Sequence, residues 1–543
     1  MVTDMSGVCL PQLPSDIVTN ARKTRLDAFA VALEGWRRGL TLKWYTAESE
    51  HFQDMIIFGV NPPGRLFSLS SDERTHYFFR TRGDKVTNEA VELMDDKGIT
   101  KKIMEDHNIS VPQGKSFGEE HSDDDIIMYS RTIDYPLVFK PTNASLGDGV
   151  VTNIRTEAEL REAIYYVREE LGYPDVVLEQ HVAGNEYRVY VVKDKVVAAY
   201  NRIAANITGD GVHTIEELID LKNLERRKNA RLNSCLIHID VEILKFIEEK
   251  GYTLESIPPK GEYIPLREKT NVSSGGDPID VTDKITDELK QLAIDAIQAV
   301  PGLDHAGVDI IENAAGIGSA PGFVIEINAT AQIGGILFPL EGMARNIPAA
   351  IIDYYFPETK GIDTSDSRVY FDMSSVLEPM ENRSALEVEV APAPKGTLYS
   401  KKFIVSGDVQ REEYHIWLRK QALNLGIHGH IKSFGFDEIE IVAASTSRKK
   451  LREFRTLINE FKNGKNITKI ESANYEGSIV VGFDIVEIYN TYNLRSTRHS
   501  LRRAEIELIR MNRRKERLEK DIAHIENSTS WKVTSPVRML KNK

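Results

Sequence analysis

The chain has 543 residues, 41% hydrophobic and 28% charged, with a formal net charge of −13. That length suggests about three or four domains with sizeable cores, and the acidic balance argues against general nucleic-acid binding. Cys9 and Cys235 stand far apart, so no disulfide framework is indicated and a reducing cytoplasm is expected. Asp4, Pro11, Pro14 and Asp16 interrupt any signal-like N-terminus, and no window reaches the roughly 18 apolar residues of a membrane span.

Residues 1–90 read as a first domain: an amphipathic helix over Thr24–Arg38, a strand over Leu40–Tyr45 and another over Met55–Val60, without a readable site motif. Residues 91–357 alternate helix and strand. Asp95–Asn108 is expected to be a helix, Tyr135–Lys140 a buried strand stopped by Pro141, and Thr156–Glu170 a helix. Val176–Glu179, Tyr187–Val192 and Lys195–Arg202 follow as strands. Thr214 with Glu217 three residues on forms a capping box at a helix start. Helices are expected over Thr286–Val300 and Ala344–Tyr355. Residues 358–396, rich in Asp, Ser and Pro, read as a linker. Residues 397–489 show the βαββαβ order of a ferredoxin-like sandwich, with helices over Glu412–Leu425 and Arg448–Lys462.

Residues 493–543 differ again. From Thr491 to Lys543 there are 14 Lys and Arg against 6 Asp and Glu. Ala504, Met511, Leu518 and Ile525 recur every seven residues, and Leu501, Leu508 and Ile522 form a second register broken by Lys515. That 3.5-residue period predicts a short coiled coil, favouring a homo-oligomer; a single basic amphipathic helix is the alternative.

The chemistry concentrates around Gly307–Asn328. Glu326 and Asn328 sit two apart in a Val- and Ile-rich run, so their side chains share one strand face. Asp309 lies in a second apolar run, and Asn313–Gly322 between them reads as a hairpin loop. Two carboxylates and an amide oxygen then converge, a donor set suited to Mg²⁺ with Mn²⁺ as an alternative ion. A solvated edge hairpin would show the same pattern. Earlier, Lys140 closes an apolar strand and precedes the loop Asn143–Gly149, with Ser145 and Gly147 inside it. Backbone amides of such a loop approach phosphate oxygens closely, and the lysine adds a point charge. A plain turn is the competing reading. Lys97 precedes this loop, and Glu179-Gln-His-Val-Ala-Gly-Asn-Glu186 follows it.

The order Lys97, Lys140 with its loop, Glu179…Glu186, then Asp309, Glu326 and Asn328 resembles the ATP-grasp ligases over roughly residues 90–355. The strings NRIAANITGDGVHTIEELI (201–219) and LREKTNVSSGGDPIDVTD (266–283) are similar to the ATP-grasp part of cyanophycin synthetase and of bifunctional glutathione synthetases. The resemblance implies an α+β multidomain chain, with an ATP-grasp fold followed by an acylphosphatase-like sandwich and the coil. It implies that Lys97 and Lys140 hold ATP phosphates and that Asn143–Gly149 closes over them. Glu179, Gln180 and Val182 would bind adenine, and Glu186 the ribose. Asp309, Glu326 and Asn328 would bind two Mg²⁺ bridging the phosphates. Arg267, with Asn271 nearby, would meet an acyl phosphate, and Arg202 would assist a substrate carboxylate or form a plain surface ion pair. The implied activity joins a small carboxylate or amino acid to an amine, in the cytoplasm, through an acyl phosphate. No Ser, Cys or His nucleophile is needed, and His181, His213 and His305 read as structural.

The sandwich resembles acylphosphatase, whose phosphate cradle is matched by Gly407-Asp-Val-Gln410-Arg-Glu-Glu-Tyr-His415. Arg411 and Glu413 replace the cradle glycines, His415 stands at the catalytic arginine, and Ser433 falls near the catalytic asparagine. An anionic Glu413 beside a phosphate cradle is electrostatically unfavourable, so the domain is expected to be inactive. The ending Ser530-Trp-Lys…Pro536…Arg538 is similar to endings of bacterial surface-glycan proteins; a Trp packed on the coil is the alternative. Two competing readings remain: a non-catalytic nucleotide-binding scaffold, and a phosphohydrolase acting through residues 398–488.

Overall fold

The computed structural model describes residues 13, 17–18, 20–143, 149–314, 316, 320–410, 412–434, 437–460 and 467–486; the heptad repeat, the Ser530–Arg538 ending, Ser145 and Gly147 lie outside the described residues. Internal contacts divide the chain into two compact units, residues 1–396 with 477–481 and residues 397–476 with those from 482 onward.

The first unit opens with α1 (Thr24–Arg37). The expected amphipathic face is absent, because every residue from Leu26 to Trp36 is buried. Its charges are paired inside. Asp27 accepts from Arg80 at 3.0 Å and from the Ile333 amide at 3.0 Å, and Glu34 accepts from Arg38 at 2.8 Å and Thr364 at 2.7 Å. Strands β1 (Thr41–Tyr45), β2 (Leu66–Ser70), β3 (Thr75–Phe79) and β4 (Arg82–Gly83) form consecutive neighbours in an antiparallel sheet. Met55–Val60 is not a strand. Met55, Ile57 and Val60 instead pack on a small cluster of Tyr45, Phe52, Leu66 and Phe79, and the Ile56 amide is satisfied by Asn88 Oδ1 at 3.0 Å rather than by a ladder.

Next come α2 (Asn88–Asp95) and α3 (Lys97–Asp106). A four-stranded sheet follows, built from β5 (Gly114–Phe117), β6 (Leu137–Pro141), β7 (Val151–Ile154) and β8 (Val176–Gln180) in the order β5-β8-β6-β7. Helices α4 (Asp123–Ser130) and α5 (Glu157–Tyr165) share its core through Ile126, Ile127, Leu160 and Ile164.

A five-stranded sheet then combines β9 (Glu186–Val192) and β10 (Lys195–Ile203) with three later strands. Between them lies a small subdomain in which β11 (Asn206–Thr208), α6 (Ile215–Lys228), α7 (Val241–Glu248) and β12 (Tyr263–Pro265) enclose their own core. The expected capping box is present: the Thr214 amide donates to Glu217 at 2.9 Å and the Glu217 amide to Thr214 Oγ1 at 3.3 Å. The later strands are β13 (Asp277–Asp280), β14 (His305–Glu312) and β15 (Gly322–Asn328), with α8 (Asp287–Gln298) packed on the sheet, and the order is β13-β10-β9-β14-β15. Strand parity sorts this sheet. Val189, Val191, Val308, Ile310 and Ile327 enter the core beneath α8, while Arg188, Arg202, Asp309 and Glu326 share the opposite face.

The expected linker over 358–396 is structured. After α9 (Gly334–Leu337) and α10 (Ile347–Tyr355), the chain forms β16 (Val369–Tyr370), α11 (Met373–Glu381) and β17 (Glu387–Glu389). Strand β17 pairs antiparallel with β1, α11 buries Met373, Val376, Leu377 and Met380, and the Phe371 ring meets those of Phe29 and Trp36 at 5.0 and 5.5 Å. The reason is spacing. Its apolar runs, Val369–Phe371 the longest, are too short to read as elements alone, and β17 is an edge strand with two exposed glutamates, so the segment looks solvated until its partners are present.

In the second unit β18 (Tyr399–Gly407), α12 (Glu412–Leu425), β19 (His428–Phe434), β20 (Glu438–Ser445), α13 (Arg448–Ile458) and β21 (Ile467–Asn474) follow in chain order. After β22 (Ile479–Val480), which itself belongs to the first unit and pairs there with β16, β23 (Phe483–Val486) completes the second unit's sheet, ordered β21-β18-β20-β19-β23. Among the described residues no helix is long and apolar enough to cross a membrane.

Candidate nucleotide and metal site

Register places the acidic hairpin. Asp309 on β14 stands directly opposite Glu326 on β15, and Gly307 opposite Asn328. A bulge between Asp309 and Ile310 gives β15 one extra residue there, which re-aims the side chains beyond it. On the other flank Asp309 pairs with Arg188 of β9, and Arg188 with Tyr200 of β10. One row across the sheet therefore reads Tyr200, Arg188, Asp309, Glu326.

Asp309 is 4% exposed and Arg188 8%. The Arg188 guanidinium grips both carboxylate oxygens, Nη2 donating to Oδ2 at 2.9 Å. Arg202 donates through Nη1 to Glu186 at 2.6 Å and through Nη2 to Asp309 at 3.2 Å, joining the two carboxylates. Burial opposes charge on Asp309, but the two guanidiniums outweigh it and hold its carboxyl below the usual carboxylate range. Against the same burial, Asp309 holds both guanidiniums above their ordinary value. Arg202 is thus part of a buried network and not a surface ion pair.

The lysines approach from the neighbouring sheet. Asp96 caps α3 by accepting from the Gly98 and Ile99 amides at 2.7 and 3.0 Å, which fixes Lys97 in the first turn. The Lys97 amide donates to Thr142 O at 3.2 Å and its Nζ to the same oxygen at 3.4 Å, tying the helix start to the end of β6. Burial lowers the Lys97 ammonium, the charge of Glu326 raises it and that of Lys140 lowers it. Lys97 therefore lies within electrostatic reach of both the hairpin and the second lysine. Lys140 is 6% exposed and ion-paired with Glu179, also 6% exposed, across the β6–β8 pair. These groups line a pocket walled by Met104, Val111, Val177 and Val324. Lys101, one turn beyond Lys97, lines it too and donates to Pro112 O.

The remaining expected residues are spread more widely. The Gln180 amide donates to Gln113 O at 2.8 Å, and Val182 is buried just beyond the strand end. Asn143 is exposed, and Gly149 closes the loop at φ +65°, where a Cβ would lie 2.8 Å from Pro141 Cγ. Arg267 is buried but engaged by Glu242, by Asp240 at 2.6 Å and by His238 O at 3.3 Å. Asn271 caps its own short turn by accepting from the Ser273 amide at 2.9 Å. Neither is in contact with Asp309. That segment touches the site through Thr270, which donates to Glu186. Arg188, Lys101 and Thr270 escaped the reading of the sequence. Two had a signal: Arg188 is two residues after Glu186 on one strand face, and Lys101 four after Lys97 on one helix face. His305 is fully buried between the Tyr190 and Tyr355 hydroxyls, and burial depresses it to about 4.

In the second unit, His415 is buried with Nε2 paired to Val409 O at 2.8 Å, and Gln410 Nε2 donates to Glu438 O at 2.8 Å. The residue at the cradle's arginine position is thus bonded to the cradle's own backbone, and Glu413 remains exposed.

Residues 94–211 match the RimK-like ATP-grasp domain family and residues 401–485 the acylphosphatase family. The chain thus carries both domains. Cyanophycin synthetase of Crocosphaera subtropica is 34% identical over 276 residues, covering 49% of this chain and 31% of its own length. The glutathione biosynthesis bifunctional protein of Streptococcus agalactiae is 31% identical over 345 residues, covering 60% of this chain and 45% of its own. The chain thus spans less than half the length of these curated relatives. A crystal structure of a bifunctional glutathione synthetase from Pasteurella multocida aligns with a TM-score of 0.43 and 26% identity, over 54% of this chain and 40% of that one.

ATP-grasp ligases generally use ATP with Mg²⁺, and the residues present fit that ion. The hairpin offers oxygens, two carboxylates and an amide, and among the described residues, these included, no three His, Cys, Asp or Glu side chains form a metal cluster. Asn328, two residues beyond Glu326 on β15, adds an amide group to the same strand face. The two guanidiniums place three hydrogen bonds on Asp309, whose carboxylate offers about four lone-pair sites, so about one is left for an ion.

Proposed function

We propose that the chain is an ATP-dependent carboxylate–amine ligase that activates its acid as an acyl phosphate. The observation that carries this is the joining of two features distant in sequence. The lysine pair Lys97 and Lys140 lines one pocket with Glu179, and Lys97 feels the charge of Glu326 beside Asp309. ATP phosphates need both halves: cations to neutralise the transferring phosphoryl group and oxygen ligands for Mg²⁺.

In this reading a substrate carboxylate oxygen attacks the γ-phosphorus, the β–γ bridging bond breaks, and ADP leaves. The amine nitrogen then attacks the acyl carbon, inorganic phosphate departs, and the nitrogen loses a proton. Lys97 and Lys140 orient the phosphates, the apolar walls and Glu179–Val182 hold the base, and Glu186 takes the ribose hydroxyls. Asp309, Glu326 and Asn328 would hold Mg²⁺, which when bound supplies charge neutralisation across the phosphates. The loop 143–149 shuts water from the acyl phosphate. Arg267 and Asn271 act on the acyl group after the Glu242 and Asp240 contacts rearrange, and Arg202 steadies a carboxylate. The second unit serves as an inactive ferredoxin-like module, since an active acylphosphatase would destroy the intermediate. The heptads of 501–525 pair two copies.

The test is ADP release by purified protein with Mg²⁺-ATP across pairs of amino acids, small carboxylates and amines. Release that requires both an acid and an amine supports the reading; nucleotide binding without release from any pair refutes it and leaves a scaffold.

A further inference from the structure

We propose, resting on the ligase reading, that Arg231 anchors a carboxylate carried by the amine substrate. That substrate is then an amino acid or peptide rather than a simple amine. Arg231 follows α6 and is 7% exposed. Its Nη2 donates to Gln332 Oε1 at 2.8 Å, and among the described residues no carboxylate pairs with it. Other buried arginines are treated differently. Arg188 has Asp309, Arg226 has Asp277 at 2.6 Å and Arg80 has Asp27. Arg82, also without a carboxylate, is satisfied by Val86 O, Ile56 O and Asn88. The charges behind Arg231 make the surplus larger. Arg226 and Lys222 share the single carboxylate of Asp277, and Arg231 adds a like charge that disfavours protonated Arg226. A buried cation without a counter-charge is costly, and an anion held there offsets that cost.

Position ties this cation to the site. The loop 329–333 leaves directly from Asn328 and runs into α9. A Cβ on Gly307, two residues before Asp309, would lie 2.7 Å from Ala331 Cβ and 2.9 Å from Arg188 Cδ. One residue on, Gln332 holds Arg231. The Arg231 stem lies on Gly334, where a Cβ would come within 2.8 Å of its Cδ, and Gly335 borders the Tyr200 ring, two residues before Arg202 on β10. With Gln332 on one Nη2 hydrogen, the other Nη2 hydrogen still forms a two-point edge with Nε or with Nη1, and that edge matches two carboxylate oxygens. An amine substrate bearing a carboxylate is repelled by ATP phosphates, so a guanidinium at the loop end would both bind it and aim its nitrogen toward the acyl group.

The experiment is calorimetric titration with single amino acids and their carboxamides, in the presence of Mg²⁺ and a non-hydrolysable ATP analogue. The parent should bind at least one amino acid tenfold or more tighter than its carboxamide. Arg231→Met should abolish that preference while leaving analogue affinity unchanged, and Arg231→Lys should retain part of it. A preference that survives in Arg231→Met, or its absence in the parent, overturns the proposal. Should Arg231→Met fold poorly, Gln332→Leu decides: a preference reduced severalfold supports the anchor and an unchanged one overturns it. ADP release in the parent keeps the ligase reading separate, because it stands or falls on turnover whatever the carboxamides do.

Discussion

Replacing Asp309 by alanine should cost stability as well as turnover, and the two can be measured apart. The carboxylate is 4% exposed and is Arg188's ion-pair partner among the described residues, whereas Arg202 keeps Glu186 at 2.6 Å. Removing one partner of a buried pair costs about 3–5 kcal/mol because the other charge is stranded. Since only one of the two guanidiniums loses its carboxylate entirely, the lower end applies, about 3 kcal/mol. Urea unfolding followed by circular dichroism, without nucleotide, reads this directly. Adding Arg188→Met to Asp309→Ala removes the stranded cation and should restore about 2 kcal/mol. If Asp309→Ala unfolds within about 0.5 kcal/mol of the parent, or if Arg188→Met brings no recovery, the buried network has been misread. The same arithmetic warns that lost activity in Asp309→Ala alone does not separate loss of a metal ligand from displacement of Arg188. Asp309→Asn, which keeps the shape, is the better activity variant.

Lys97→Met and Lys140→Met should each weaken binding of a non-hydrolysable ATP analogue by about tenfold or more, since each removes a charge-assisted contact to phosphate; unchanged affinity would place the nucleotide elsewhere. Gly149→Ala puts a side chain at φ +65° against Pro141, a strain of about 1 kcal/mol, and should weaken analogue binding severalfold if loop 143–149 covers the phosphates. His305 is depressed from 6.5 to about 4 by burial. The unfolded chain therefore binds the extra proton, and stability present above pH 6.5 should fall by about 3 kcal/mol as pH drops to 4. In His305→Gln that acid limb of the urea midpoint should flatten; an unaltered limb would assign it to other groups. Acyl phosphates such as benzoyl phosphate should survive incubation with the protein, because His415 is bonded to Val409 O and Glu413 stands at the cradle. Hydrolysis by the parent that is lost in His415→Ala would overturn that expectation.

Local pattern was enough for the elements that carry their own signal. Alternation of Val and Ile fixed the faces of Asp309, Glu326 and Asn328, because strand side chains alternate whatever the partner strand is. The Thr214–Glu217 capping box was equally legible, since both of its hydrogen bonds close within one turn. Resemblance of long strings indicated the ATP-grasp domain, and the βαββαβ order with the Gly407–His415 pattern indicated the acylphosphatase domain. Which charges meet was a matter of tertiary structure. Arg188 and Asp309 lie 121 residues apart, and only the β9–β14 register makes them partners. Burial was equally hidden: α1 is enclosed on all sides, and 358–396 completes the first sheet, because partners far along the chain decide whether a polar-looking segment faces water. Arg231 shows the limit most plainly. Its sequence neighbourhood is an unremarkable run of basic and amide residues, and its missing counter-charge exists only once folding has removed it from solvent.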